Sequence, residues 1–182
     1  MKKMYGAYLM SVLVSTVSFN AMTVAGEDVG AQSQERLNIL IEIIKQNDDE
    51  CVAGVQAMQN LYQQIIQDPR LSRNVSVEDL SALSPEGIRA LVNMQDKSTF
   101  VPLYYVVQLN RPKCVKALLE AGANVNTVIQ NGKTPLFFAQ DEAMVRLLLK
   151  NGADAKHRDD LGRTADYYVG RNSAVDLIRE RQ

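Results

Sequence analysis

The residues of this chain that are best suited to chemistry are one histidine and two cysteines. A single histidine, His157, cannot build a histidine-based metal cluster. No motif places a serine or cysteine nucleophile beside it, and the glycines do not form a phosphate-binding loop. The sequence therefore predicts no catalytic residues, no metal site and no cofactor, and it indicates that the chain is not an enzyme.

Cys51 and Cys114 leave two interpretations open. In an exported chain they would meet oxidising conditions and could form a disulfide. Alternatively, Cys114 takes an apolar position of a helix, where a free cysteine packs as a small hydrophobic residue. Only the distance between the two residues can decide, because a disulfide has strict geometric limits.

Residues 1–25 have the pattern of a secretory signal peptide. Lys2 and Lys3 supply the positive start, an apolar stretch follows from Ala7, and small residues precede a cleavage position after Ala25. An uncleaved membrane anchor is disfavoured, because the apolar stretch is shorter than the roughly 20 residues that a spanning helix needs. We therefore expect a periplasmic or secreted protein with no membrane span after cleavage.

Composition bounds the class of protein further. Hydrophobic residues make up 46% of the chain and charged residues 23%, which is typical of a folded domain. The net charge is −1, so the chain lacks the basic surface that nucleic-acid phosphates require. We expect no nucleic-acid partner, and a chain that is monomeric when alone.

The region before residue 84 predicts helices. Residues 26–34 are small and polar, and predict a flexible lead-in. Apolar residues then recur every three or four positions from Leu37 to Ile44, as in an amphipathic helix. Asn47 interrupts this pattern and can cap a second helix that ends before Pro69. The predicted helical region spans residues 35–83 and begins with a helical hairpin.

The rest of the chain is organised around a repeat. The sequence VPLYYV at 101–106 returns as TPLFFA at 134–139, with its proline 33 positions further on. The helix that follows each copy ends in a Gly-Ala pair, and the two pairs are 30 positions apart. Glycine in such a place allows a helix to end with positive φ. A fixed period near thirty is typical of a stack of repeated units.

These motifs resemble the ankyrin repeat, whose pattern joins a Thr-Pro-Leu-His-x-Ala inner helix to an outer helix with two leucines and then Gly-Ala-Asp. The resemblance implies an all-α ankyrin-repeat solenoid, with two clear repeats and degenerate caps, preceded by the α-helical hairpin. The repeat domain spans residues 84–182, and its parts are a degenerate repeat at 84–100, repeats at 101–133 and 134–163, and a cap at 164–182. The second repeat is three residues shorter between its helices than the first.

The resemblance also implies where a partner binds, namely on the projecting turns and the exposed side of the inner helices. The first set of predicted protein-binding residues is Tyr105, Gln108, Leu109, Val128, Ile129, Gln130, Asn131 and Lys133. The second set is Arg158, Asp160, Leu161 and Arg163. Ile129 departs from the family, which usually has aspartate there, whereas Asp159 keeps it. We expect Val128 and Ile129 to form an apolar pair at a turn tip, either exposed for a partner or packed beneath the N-terminal helices.

The sequence thus predicts an exported ankyrin-repeat protein that binds another protein. It is similar to small exported bacterial ankyrin proteins that act as immunity partners and neutralise a toxic effector. Two alternatives stay open. One is a secreted effector that docks on host proteins, and the other is a redox-linked periplasmic factor that protects an enzyme.

Overall fold

The computed structural model describes residues 29–67, 81, 84–169 and 173–181. Within these ranges the regular structure is helical, as the sequence predicts, and no described helix is long and apolar enough to cross a membrane. The α-helices are α1 (Val29–Gln46), α2 (Asp48–Gln67), α3 (Pro85–Asn93), α4 (Pro102–Gln108), α5 (Pro112–Glu120), α6 (Glu142–Lys150) and α7 (Ser173–Arg179). Short 3-10 helices span Gln130–Gly132, Pro135–Phe138 and Ala165–Tyr167. The predicted signal peptide lies outside the described residues.

The N-terminal hairpin consists of α1 and α2. Asn47 separates the two helices, and its side chain accepts a hydrogen bond from the Glu50 amide at 2.8 Å, which caps α2 as its residue type predicts. Helix α1 begins at Val29, so the flexible lead-in predicted at 26–34 is wrong for residues 29–34. That segment contains no proline, and its alanine and glutamine residues favour helix, so helix α1 extends back through it.

The hairpin packs on the first clear repeat, with α1 against α4 and α2 against α5. Asp48 caps α5, because its carboxylate accepts from the amide of Cys114 at 2.6 Å and from that of Lys113 at 3.2 Å. Cys51 and Cys114 are joined by a disulfide with a Cα–Cα distance of 5.6 Å. Both cysteines are also fully buried, so they are at once bonded and part of the core.

Helix α3 follows the hairpin in the chain and contacts α1, α2 and α4. The Ser84 hydroxyl accepts from the Gly87 amide at 3.0 Å and Pro85 begins the helix, which is the predicted arrangement. At its end, the Asn93 side chain donates to the Gly122 carbonyl at 2.9 Å. The same bond recurs one repeat later, since Asn126 donates to the Gly152 carbonyl at 2.9 Å. The recurrence relates Asn93 to Asn126, although Asn93 ends α3 and Asn126 lies beyond the end of α5.

The two clear repeats differ in their inner helices. The first has the α-helix α4, whereas the second has only the four-residue 3-10 helix Pro135–Phe138. The second repeat has three residues fewer for the same connection, and Asp141 starts α6 directly by accepting from the Met144 amide at 2.8 Å. The C-terminal cap follows with the 3-10 helix Ala165–Tyr167 and with α7, which packs on α6. In both clear repeats the expected inner-helix positions, Leu103, Val106, Leu136 and Ala139, are buried.

Candidate functional site

Three projecting turns, at residues 96–100, 129–133 and 159–163, share one backbone geometry. In each, the amide of the first residue donates to the carbonyl of the fifth, at 2.8 to 2.9 Å. The fourth residue has a positive φ in each turn, with values of 67° at Thr99, 69° at Gly132 and 74° at Gly162. Sequence analysis recognised only the last two turns, because threonine stands where the others have glycine.

An aspartate side chain braces the first and third turns, half-buried at Asp96 and buried at Asp159. Asp96 accepts hydrogen bonds from the amides two and four residues later, at 2.8 and 3.0 Å, and from the hydroxyl of Tyr105. Asp159 accepts from the amides at the same two offsets, at 3.0 and 2.8 Å, and from the hydroxyl of Tyr168. The brace therefore links each turn to a tyrosine nine residues further on, which lies within α4 at Tyr105 and directly after the 3-10 helix Ala165–Tyr167 at Tyr168.

The second turn replaces both members of this brace. Ile129 stands at the aspartate position and Phe138 at the tyrosine position, so the carboxylate and the hydroxyl are lost together. Ile129 is only 4% exposed and belongs to the apolar core, against which Phe138 is packed. The alternatives left open for this pair therefore divide between its members, since Ile129 is buried and Val128 is exposed. Because both members of the brace are replaced by apolar groups, neither a carboxylate nor a tyrosine hydroxyl is left there without its partner.

The hydrogen bonds that Asp159 accepts keep its carboxylate ionised. Burial would raise the pKa of this carboxyl, but the Tyr168 hydroxyl, two turn amides and the Arg163 guanidinium together lower the pKa to about 2. Burial and the bond to Asp159 raise the pKa of Tyr168 in turn. Asp159 is therefore ionised over the physiological range, and it pairs with Arg163 at 3.2 Å.

Cations and aromatic rings alternate beside the second and third turns. The Lys133 ammonium lies 4.0 Å from the ring centroid of Tyr168 and 5.6 Å from that of Phe138. The Arg163 guanidinium lies 4.6 Å from the ring centroid of Tyr168 and 4.9 Å from that of Tyr167. We call these five residues the basic–aromatic row. Such contacts attract the cation to the negative face of the ring and hold it in place.

The turns also contact one another, so they form one continuous surface. The Asp160 amide donates to the Asn131 carbonyl at 3.2 Å, and the Gln95 side chain donates to the Val128 carbonyl at 3.1 Å. A Cβ at Gly132 would lie 2.3 Å from the Asp160 carboxylate, so only glycine allows this approach without a shift.

The predicted binding residues fall into three groups by exposure. Tyr105, Lys133 and Arg163 are half-buried and Ile129 is buried, while the exposed members are Gln108, Leu109, Val128, Gln130, Asn131, Arg158, Asp160 and Leu161. Leu161 is 72% exposed at the tip of the third turn. All of them lie on the second and third projecting turns, directly beside these turns, or on α4 and its C-terminal cap.

Sequence analysis missed Phe138, Tyr167 and Tyr168 as surface residues. A signal was present, because aromatic pairs recur at 104–105, 137–138 and 167–168. The first member of the earlier pairs is buried, since the next repeat covers it. Tyr167 lies in the last inner helix and is 68% exposed. Exposure there depends on where the stack ends, which the local pattern does not encode.

His157 has a structural role in the second clear repeat. Its Nε2 donates to the Gly132 carbonyl at 2.8 Å, and its ring meets Phe137 edge to face at 6.0 Å. Within the described ranges, no group of three or more His, Cys, Asp or Glu side chains could hold a metal ion.

Comparison with known proteins gives three similarities. A family profile described as ankyrin repeats (3 copies) matches residues 13–159. The ankyrin repeat and LEM domain-containing protein 1 homolog of Caenorhabditis elegans is 43% identical over 67 residues, which cover 35% of this chain and 9% of that protein. The ankyrin-repeat domain of Bcl-3, described as a unique member of the IkappaB protein family, is 26% identical with a TM-score of 0.46, covering 68% of this chain and 50% of that one.

Proposed function

The chain belongs to the ankyrin-repeat family, whose profile spans most of its length, and from this premise we propose that it acts by binding another protein through its projecting turns. The family supplies a scaffold for contact, and the specific function depends on the surface that the scaffold presents. The proposal is for binding and not for catalysis.

One observation carries the proposal, namely the position of the exposed apolar side chains. Among the described residues, the large hydrophobic side chains that are exposed are Leu109, Val128, Leu161 and Tyr167. Each lies on a projecting turn, on its flank or at an inner helix, and none lies on the outer helices α3, α5 or α6. Apolar side chains collected on one side of a folded chain are typical of a contact surface for another protein.

The proposal includes export to the periplasm or beyond the cell. The apolar leader at residues 1–25 supports it, and so does the buried disulfide, because disulfides persist in oxidising compartments. The narrower proposal is that the partner is a toxic protein that this chain neutralises. It rests on the likeness to small exported ankyrin proteins with that role. The structure does not support the redox-linked alternative, since both cysteines are inaccessible to solvent.

Capture from an extract of the source organism tests the binding proposal. The full chain, purified after expression with its own leader, is immobilised beside Leu161→Asp and a matched control, Ala143→Asp, which places the same residue at an exposed position of α6. We expect the wild type and Ala143→Asp to capture one partner that Leu161→Asp loses. Equal capture by all three proteins would move the contact away from the turns and contradict the proposal.

A further inference from the structure

Lys133 and Arg163 occupy the same position in consecutive turns, but only Arg163 has an oppositely charged partner among the described residues. Arg163 pairs with Asp159, whose side chain is almost fully buried. In the second turn the equivalent residue is Ile129, which has no charge to offer. Lys133 forms no ion pair with any carboxylate of the described residues. Because the second turn lacks the aspartate, its cation has no carboxylate of the described residues to pair with.

The Lys133 ammonium is nonetheless held in place. The rings of Tyr168 and Phe138 flank it at 4.0 and 5.6 Å. The faces of the rings attract the positive charge, but they are poor hydrogen-bond acceptors. A lysine ammonium has three N–H donors, so the rings do not satisfy them. The ammonium is thus positioned by the aromatic rings while its donors are still available to an external oxygen.

The surroundings of this ammonium fit an acidic protein segment. Arg158, whose guanidinium donates to the Gly162 carbonyl at 2.6 Å, adds a second exposed cation beside the third turn, and Asp160 is the exposed acid of that turn. Leu161 and Tyr167 are the two most exposed large hydrophobic residues, and they lie on the third turn and the 3-10 helix that follows it, as Arg163 of the basic–aromatic row does. A carboxylate would complete the charge pair at Lys133 that Asp159 completes at Arg163, and an apolar neighbour would cover Leu161 and Tyr167.

We propose that the basic–aromatic row binds an extended acidic segment of the partner protein, with an Asp or Glu carboxylate on Lys133 and an apolar side chain on Leu161 and Tyr167. The inference rests on the proposed protein-binding function and names the chemistry of the partner.

The test is selection of a random peptide library displayed on phage against the full chain, followed by affinity measurement with the selected peptides. We expect enrichment of peptides that carry Asp or Glu beside an apolar residue. Lys133→Gln should weaken their binding about ten-fold or more, as expected for a lost charge-assisted hydrogen bond. Lys116→Gln, which makes the same change on the exposed face of α5, should leave the affinity within about two-fold.

Two further variants separate charge from folding. Lys133→Arg keeps the cation and should retain binding, so loss in Lys133→Gln would not come from a damaged turn. The double variant Ile129→Asp with Phe138→Tyr supplies an internal carboxylate beside Lys133, and it should weaken binding of the acidic peptides while the chain stays folded. Circular dichroism and the urea midpoint check the fold of each variant.

The outcomes distinguish this inference from the proposed function. If the selected peptides are not acidic but lose binding in Leu161→Asp, the inference is overturned and the turn surface remains a protein-binding site. If acidic peptides bind Lys133→Gln as tightly as the wild type, the inference is also overturned. If no peptide is selected at all, the inference is overturned and the result also counts against the proposed function.

Discussion

Restoring the brace of the second turn is the sharpest test of how the three turns are built. The perturbation is Ile129→Asp together with Phe138→Tyr, which copies the Asp159–Tyr168 pair of the third turn. Ile129 is 4% exposed, so Ile129→Asp alone removes almost a whole buried side chain. Part of that loss is offset, because the new carboxylate can accept the two turn amides. We expect the free energy of unfolding to fall by about 3 kcal/mol.

The second change should act in opposite directions in the two backgrounds. Phe138→Tyr alone directs a hydroxyl towards Ile129, which cannot accept a hydrogen bond, and should cost up to about 1 kcal/mol. In the Ile129→Asp background the same hydroxyl donates to a carboxylate, which contributes about 1.5 to 3 kcal/mol. The double variant should therefore lose only about 1 kcal/mol, and the coupling free energy should be about 3 kcal/mol in favour of the pair.

Urea unfolding followed by circular dichroism measures all four proteins of this cycle. Any ion pair between Lys133 and the new carboxylate is present in both the single and double aspartate variants, so it cancels. Phe137→Tyr is the matched control, because the equivalent residues Tyr104 and Tyr167 are not bonded to a turn aspartate. A coupling below about 0.5 kcal/mol for position 138, or an equal one for position 137, would refute the reasoning.

Three further predictions follow from other contacts. Thr134→Val should raise the free energy of unfolding by about 1 kcal/mol in thermal melts, because the buried hydroxyl has no hydrogen-bond partner in the described part of the chain; a lower melting temperature would contradict this. Gly132→Ala should cost about 2 kcal/mol more than Gly152→Ala in urea unfolding. Both residues have positive φ, but only the first would place a Cβ against the neighbouring turn; equal costs would show that the turn yields. Reducing the bond between Cys51 and Cys114, which encloses a sequence separation of 63 residues, should lower the free energy of unfolding by about 4 kcal/mol, and a midpoint indifferent to reductant would contradict it.

Local residue chemistry explains which parts of the fold the sequence predicts. Asn47 and Ser84 cap helices with their own side chains, and Gly122 and Gly152 end helices with positive φ. These effects act within a few residues, so the printed sequence is enough to place them. The repeat period then gives the stacking order, because each unit has the same apolar faces to bury.

The first turn shows where this local reasoning stops. Thr99 adopts the positive φ that Gly132 and Gly162 adopt, although its residue type does not favour that region. Asp96 holds the turn through two amides and the hydroxyl of Tyr105. The hydrogen bonds of one carboxylate thus offset the backbone preference of Thr99. Neither Asp96 nor Tyr105 alone would predict this turn from the sequence.

For the candidate surface, too, some features follow from the sequence and others only from the tertiary structure. The sequence by itself determined that projecting turns exist and that Lys133, Leu161 and Arg163 lie on them, because glycine and the repeat period fix the turns. Only the tertiary structure decided that Ile129 is buried and that Tyr167 is exposed, since burial depends on what the neighbouring repeat covers. It also decided that the Lys133 ammonium lies on the ring of Tyr168, because that ring is distant in the chain and only the packing of the two turns brings it to Lys133.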